Sequence, residues 1–245
     1  MIPKTIHYCW FGRKPLPELA LKCIASWRKY LPDYDIREWN ENNFDVNQIS
    51  YTAEAYKCRK YAFVSDYARF KIMYEYGGIY FDTDVEVIKP IDYIINKGSF
   101  WGTEVSNKGL SCNPGLGFAC PPGLNLCKEM LNHYENKTFI LPNGKLNLTT
   151  VVEIFSKILE NNGFAFSCFP EEHDGIHVYP PEYFCPINYH TGKKNITQNT
   201  YTIHHYAASW VNKYDNLSLF AKIWNFLHLP NTDLRRRLSF YKREQ

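Results

Sequence analysis

The run Gly77-Gly78-Ile79-Tyr80-Phe81-Asp82-Thr83-Asp84 constrains this chain more than any other. A helical pattern from Tyr61 to Tyr76 leads straight into it, with Ala62, Phe63, Tyr67, Phe70 and Tyr74 giving an apolar face. The glycine pair ends that helix, because glycine reaches the left-handed backbone that closes a helix at little cost. The apolar Ile79-Tyr80-Phe81 follows with no loop between. A helix delivered directly to a strand is half of an alternating α/β unit. Asp82 and Asp84 fall where that strand ends. Alternate strand residues point the same way, so the pattern predicts that both carboxylates face one site. Ligands of open α/β sheets bind beyond the carboxyl ends of the strands.

The rest of the chain repeats the alternation. Thr5 to Phe11 reads as a buried first strand ending at Gly12. Pro17 to Tyr30 reads as a helix, with Leu19, Cys23 and Trp27 at helical spacing. Tyr34–Trp39, Val85–Ile88, Ser99–Val105, Gly117–Cys120 and Tyr201–Ala207 read as further strands. Asn125–Tyr134, Thr149–Glu160, Leu217–Leu227 and Asp233–Lys242 read as helices. No repeat or low-complexity linker divides the 245 residues, a length that suits one α/β domain.

Composition narrows the function. Aromatic residues make up 17% of the chain, and they serve both core packing and stacking on sugars and bases. A net charge of +3 is too small for a nucleic-acid-binding surface. The local exception is the segment from Ala221 onward, where Lys222, Arg235, Arg236, Arg237, Lys242 and Arg243 face only Asp233 and Glu244. With Leu238, Phe240 and Tyr241 it reads either as a solvated helix face or as a peripheral contact with an anionic membrane. The 8 cysteines include no Cys-x-x-Cys pair, so free thiols, most of them buried, are expected. No leader pattern or membrane-length apolar run is present, and the expectation is a cytoplasmic protein, with the basic tail the candidate contact on the inner membrane face.

Three constellations carry chemistry. Asp82 and Asp84 offer hard oxygen ligands to a divalent cation that bridges phosphates. Asp66 and Arg69, three apart on the preceding helix, read as a surface ion pair or as a buried pair that orients a polar ligand. His204 and His205 close a late strand, where one of them can join Asp84 at a metal, with Ser209 and Trp210 following. Trp10, at the mouth of the first strand, reads as core or as a stacking platform for a base. Metal-assisted phosphoryl transfer or nucleotide hydrolysis, and a non-catalytic carbohydrate-binding module, remain open. So does a toxin-like enzyme acting on a host protein, although the chain has no evident delivery segment.

In combination, Ile2-Pro3-Lys4-Thr5-Ile6-His7 with Trp10, Ser65-Asp66-x-x-Arg69, Gly77-Gly78-Ile79-Tyr80-x-Asp82-x-Asp84 and His204-His205 with Ser209-Trp210 resemble glycosyltransferase family 32. That family includes the sugar transferases of yeast mannan outer chains and of bacterial capsule synthesis. The resemblance implies a GT-A type nucleotide-sugar transferase fold: α/β, with a Rossmann-like central mixed sheet and C-terminal helices. It implies one domain over 1–245, with a catalytic core at 1–214 and basic helices at 215–245. It implies a retaining hexosyl or N-acetylhexosaminyl transfer from a UDP- or GDP-sugar to a glycan or lipid-linked glycan, in bacterial surface polysaccharide synthesis, with Mn2+ or Mg2+. Carried onto this chain, Trp10 stacks on the base. Ser65, Asp66, Arg69 and Tyr80 line the donor, and Asp82 touches sugar or ribose and metal. Asp84 is the principal metal ligand, His204 or His205 assists it, and Ser209-Trp210 caps the donor. Asn113 to Ala119 resembles the segment lining the acceptor side, where Glu104 or Asn113 is a candidate to assist.

Overall fold

A computed structural model describes residues 1–106, 109–189 and 191–207. The expected helices at Leu217–Leu227 and Asp233–Lys242, the basic tail, Ser209 and Trp210 lie outside the described residues.

The described chain runs β1 (Thr5–Cys9), α1 (Glu18–Tyr30), β2 (Asp35–Trp39), α2 (Ser50–Lys57), α3 (Tyr61–Tyr76), β3 (Gly78–Tyr80), β4 (Val85–Val87), α4 (Asp92–Ile95) and β5 (Ser99–Ser106). It continues through β6 (Gly109–Cys112), β7 (Phe118–Cys120), α5 (Asn125–Glu135), α6 (Val151–Asn161), β8 (Glu171–His173), β9 (Ile176–Tyr179), α7 (Pro181–Phe184) and β10 (Thr202–His204). The main sheet has the order β2-β1-β3-β7-β5-β9-β8, with β6 paired to β5, and β10 and β4 form a separate ribbon. Pairing is parallel for β1 with β2 and β3, and for β5 with β9. It is antiparallel where β7 joins β3 and β5. The α/β class with a central mixed sheet therefore stands.

Strand residues alternate between two cores, as a pleated sheet covered on both faces requires. Ile6, Tyr8, Ile79, Phe81, Phe100 and Ala119 pack with Cys23, Ile24 and Trp27 of α1. Cys9, Tyr80, Trp101, Phe118 and Cys120 pack with α3, α5 and α6 on the other side. The α1 helix buries Ala20, Cys23, Ile24 and Trp27, one stripe at helical spacing. By contrast, α3 is buried around most of its circumference from Phe63 to Met73, and Asp66 and Arg69 go inside with it.

Two features set the site. First, β1 connects through α1 to β2 on one side, and the chain then crosses back to place β3 on the other side of β1. This reversal opens a crevice at the carboxyl ends of β1 and β3, the switch point where such sheets bind ligands. Second, Gly77 and Gly78 hold φ of 63° and 103°, and a Cβ on Gly78 would press on the Thr5 carbonyl. Glycine alone lets β3 leave α3 this abruptly and lie this close to β1.

Candidate active site

The β3 strand ends at Tyr80, so Asp82 and Asp84 do not share a face through strand alternation as expected. A turn does the work instead: Val85 N–H donates to the Asp82 carbonyl at 3.1 Å, and Asp82 N–H donates to the Gly115 carbonyl at 3.2 Å. After the turn, β4 pairs with β10 in a register that sets Val85 opposite His204. Trp27 of α1 anchors the ribbon by donating its indole N–H to the Val85 carbonyl at 2.7 Å. Asp84, one residue before β4, and His204, the last residue of β10, therefore meet at the same end of the ribbon.

The resulting cluster is tight. Asp82, Asp84 and His204 each present a ligand atom, and these atoms all lie within 4.8 Å of one another. His204 Nε2 is 3.2 Å from Asp84 Oδ1. The backbone N–H of Ala207 donates to Asp84 Oδ2 at 2.8 Å, and that of His205 to the Asp84 carbonyl at 3.0 Å. Burial pushes the Asp84 carboxyl up, but the His204 ring and the Ala207 N–H outweigh it and hold Asp84 below its ordinary value. Burial works against a charged His204 as well, yet Asp84 lifts it to about 10. Two carboxylates and one imidazole suit a divalent cation of the Mg2+ or Mn2+ type, and those three side chains would hold it.

His205 departs from the expectation. Its Nε2 lies 2.7 Å from Glu86 Oε2, and Lys22 reaches the same oxygen at 3.2 Å. Successive residues at a strand end point oppositely, so only His204 turns toward the two aspartates.

Beside the cluster, Arg69 is 4% exposed and fully engaged. Its Nη2 lies 3.0 Å from Asp66 Oδ1 and 3.3 Å from Asp82 Oδ1, and its Nε donates to the Ser65 carbonyl at 3.2 Å. The guanidinium carbon stands 4.9 Å from the centre of the Tyr80 ring, and the Tyr80 hydroxyl donates to Asp82 Oδ1 at 2.9 Å. Burial raises both Asp66 and Asp82, and Arg69 pulls both down. The pair is thus buried, and the surface-pair alternative falls away. Tyr80, which the resemblance places among the donor-lining residues, is almost wholly covered and works from beneath by holding Asp82 and Arg69. The Ser65 hydroxyl donates back to the Tyr61 carbonyl at 3.2 Å.

Trp10 is partly exposed at the carboxyl end of β1. With Arg13, Lys14, Glu38, Asn40, Glu41 and Asn42 it lines a cleft of about 270 Å³. Its indole N–H donates to the Lys14 carbonyl at 2.6 Å, which leaves the ring faces for packing or stacking.

Sequence reasoning missed the support beneath Asp82. Gly115 accepts from the Asp82 N–H, and any Cβ there would overlap the Asp82 carboxylate. The Asn113 side chain caps this turn, its Oδ1 accepting from Gly115 N–H at 2.7 Å and its Nδ2 donating to Glu104 at 2.9 Å. Tyr206 and Cys185 were missed as well. Nothing local in the sequence marks them, because their partners lie 102 and 21 residues apart along the chain.

Residues 17–101 match the family described as glycosyltransferase sugar-binding region containing DXD motif. The inositol phosphoceramide mannosyltransferase 1 of Schizosaccharomyces pombe is 28% identical over 110 residues, 40% of this chain and 33% of that protein. Inositol phosphoceramide mannosyltransferase 3 of the same yeast is 25% identical over 218 residues, 84% of this chain and 60% of that protein. A crystal structure of a glycosyltransferase involved in the glycosylation of the major capsid of PBCV-1 is 14% identical with a TM-score of 0.49, covering 84% of this chain and 94% of its own. The chain thus spans a third to three fifths of the length of these two yeast relatives. The chain carries an Asp-x-Asp sugar-binding region on an α/β sheet. Over residues 17–101 it is similar to the Asp-x-Asp glycosyltransferases.

Proposed function

We propose that the chain transfers a hexosyl group, with retention, from a UDP- or GDP-sugar to a glycan or lipid-linked glycan. The observation that carries the reading is the convergence of Asp82, Asp84 and His204 within 4.8 Å at the carboxyl edge of the sheet, beside buried Arg69. The mannosyltransferase relatives favour mannose as the donor sugar.

A divalent cation held by Asp82, Asp84 and His204 would neutralise the charge that develops on a departing diphosphate. The protein's own part is preorganisation. Arg69, fixed by Asp66 and the Ser65 carbonyl, opposes the upward push of burial on the Asp82 carboxyl. The Trp10 ring at the neighbouring strand end offers a stacking face for the base. In the transfer, the bond from the anomeric carbon to the phosphate oxygen breaks and a bond to the acceptor oxygen forms on the same face. The acceptor proton passes to the leaving phosphate oxygen, so no enzyme nucleophile is required. The 8 free cysteines, six of them buried, fit a reducing cytoplasm. Among the described residues no helix is long and apolar enough to cross a membrane.

The test is a panel of UDP- and GDP-sugars, each with and without Mn2+ or Mg2+, read by thermal shift and by label transfer to glycan acceptors. One donor should raise the melting temperature only with metal and should yield a glycosylated product of retained configuration. Stabilisation by glycans alone, with no donor and no metal, would replace the enzyme with a carbohydrate-binding module.

A further inference from the structure

The His204 ring stands between two sets of ligating groups. Its Nε2 faces Asp84 at 3.2 Å. Its Nδ1, on the other side of the ring, is buried and has no hydrogen-bond partner among the described residues. A polar nitrogen left bare in the interior is costly, and such groups call for an explanation. Glu104, Cys185 and His204 bring a carboxylate oxygen, a thiol sulfur and a ring nitrogen within 4.8 Å of one another. Cys185 and His204 are buried, while Glu104 is partly exposed and gives a route from solvent.

We propose that Glu104, Cys185 and His204 form a second cation site, of the zinc class, at the Nδ1 edge of the His204 ring, away from Asp84. The donor set decides the class. A thiolate is a soft ligand that Mg2+ and Mn2+ bind poorly, whereas sulfur, imidazole and carboxylate together are the usual company of Zn2+. A fourth donor is in place. The Tyr206 hydroxyl lies 2.8 Å from Cys185 Sγ and 3.1 Å from Glu104 Oε2. Tyr206 keeps that position with φ at 50°, a backbone region that bulky side chains avoid, and its ring packs edge-on against His204 at 4.4 Å. Strain of this kind persists where surrounding contacts enforce it.

Binding would release the Cys185 thiol proton and the imidazolium proton on Nδ1, and leave the remaining imidazole proton on Nε2, still donated to Asp84. A neutral imidazole offers one lone pair, so His204 serves one cation at a time. An ion on Nδ1 therefore withdraws His204 from the Asp82–Asp84 side and couples the two sites by competition. The proposal does not depend on the transferase reading, since its readout is metal ligation.

The experiment uses the full chain, reduced and stripped by chelator, with Co2+ as the probe. Ligation through Cys185 produces a thiolate-to-cobalt charge-transfer absorption that the oxygen ligands of Asp82 and Asp84 cannot give. The expected result is that this absorption saturates at one ion per chain and is displaced by Zn2+. It should survive Asp82→Asn and Cys168→Ser and disappear in Cys185→Ser. Glu104→Gln, checked for folding by circular dichroism, should weaken binding by about tenfold or more, and it decides the matter if Cys185→Ser fails to fold. Absence of the absorption in the wild type, its persistence in a folded Cys185→Ser variant, or an unchanged affinity in Glu104→Gln overturns the proposal.

Discussion

The Arg69 guanidinium bridges two carboxylates, and its link to Asp82, at 3.3 Å, joins the buried helix α3 to the first aspartate of the Asp-x-Asp pair. The same nitrogen lies 3.0 Å from Asp66. Arg69 is thus both a structural counter-ion and the charge that fixes Asp82.

Arg69→Met leaves the buried Asp66 and the partly exposed Asp82 without their cation. Breaking one partner out of a buried ion pair costs about 3–5 kcal/mol, and urea unfolding of the variant should show a loss of that size. Asp66→Asn keeps an acceptor for the guanidinium and should cost less. Equal stability of Arg69→Met and wild type would mean that the pair is not buried as described.

Gly115→Ala drives a Cβ into the Asp82 carboxylate. Because the atom it meets is the tip of a partly exposed side chain that can shift, the chain should still fold. Donor turnover should fall by about 100-fold, as misplacement of a reacting group by roughly 1 Å does. Intact turnover in Gly115→Ala would show that the position of Asp82 is not critical.

His7 gives the fold a pH dependence. Trp39 donates its indole N–H to His7 Nδ1 at 3.0 Å, so the ring proton sits on Nε2 and goes to the Gly77 carbonyl at 3.0 Å. Burial, against the hydrogen bond to Gly77, lowers His7 from 6.5 to about 4. The unfolded chain takes up a proton below 6.5 that the folded chain refuses until about 4. Stability is therefore lost as pH falls through this window, by an amount on the order of 3 kcal/mol. Asp66, raised by burial, acts in the opposite sense, gaining stability as pH falls. The difference between wild type and His7→Gln in urea unfolding isolates the His7 contribution. A difference that does not vary from pH 7 to about pH 4 would contradict the neutral, buried ring.

Much of the frame was legible because the signals are local. The α3 helix runs from Tyr61 to Tyr76 as read, since the apolar run begins cleanly and Gly77-Gly78 ends it. The α2 helix, Ser50–Lys57, was not read, because Tyr51, Thr52, Ala55 and Tyr56 give no clear apolar stripe. The β8–β9 hairpin was overlooked although Asp174-Gly175, at φ of 51° and 73°, is a strong hairpin signal. At the site, the Asp-x-Asp pair and the Asp66–Arg69 spacing were visible in the sequence. The choice of His204 over His205 depends on the pairing of β10 with β4, and the roles of Gly115, Cys185 and Tyr206 depend on contacts between distant segments. No periodicity encodes those.

The most direct test of the account is nucleotide release from the preferred sugar donor by wild type, Asp82→Asn and Asp84→Asn, with and without divalent cation. The account predicts release that requires the cation and falls by about 100-fold or more in each variant, the scale on which removal of an electrostatic stabiliser slows such reactions. Release that persists in both variants and after chelation would contradict it.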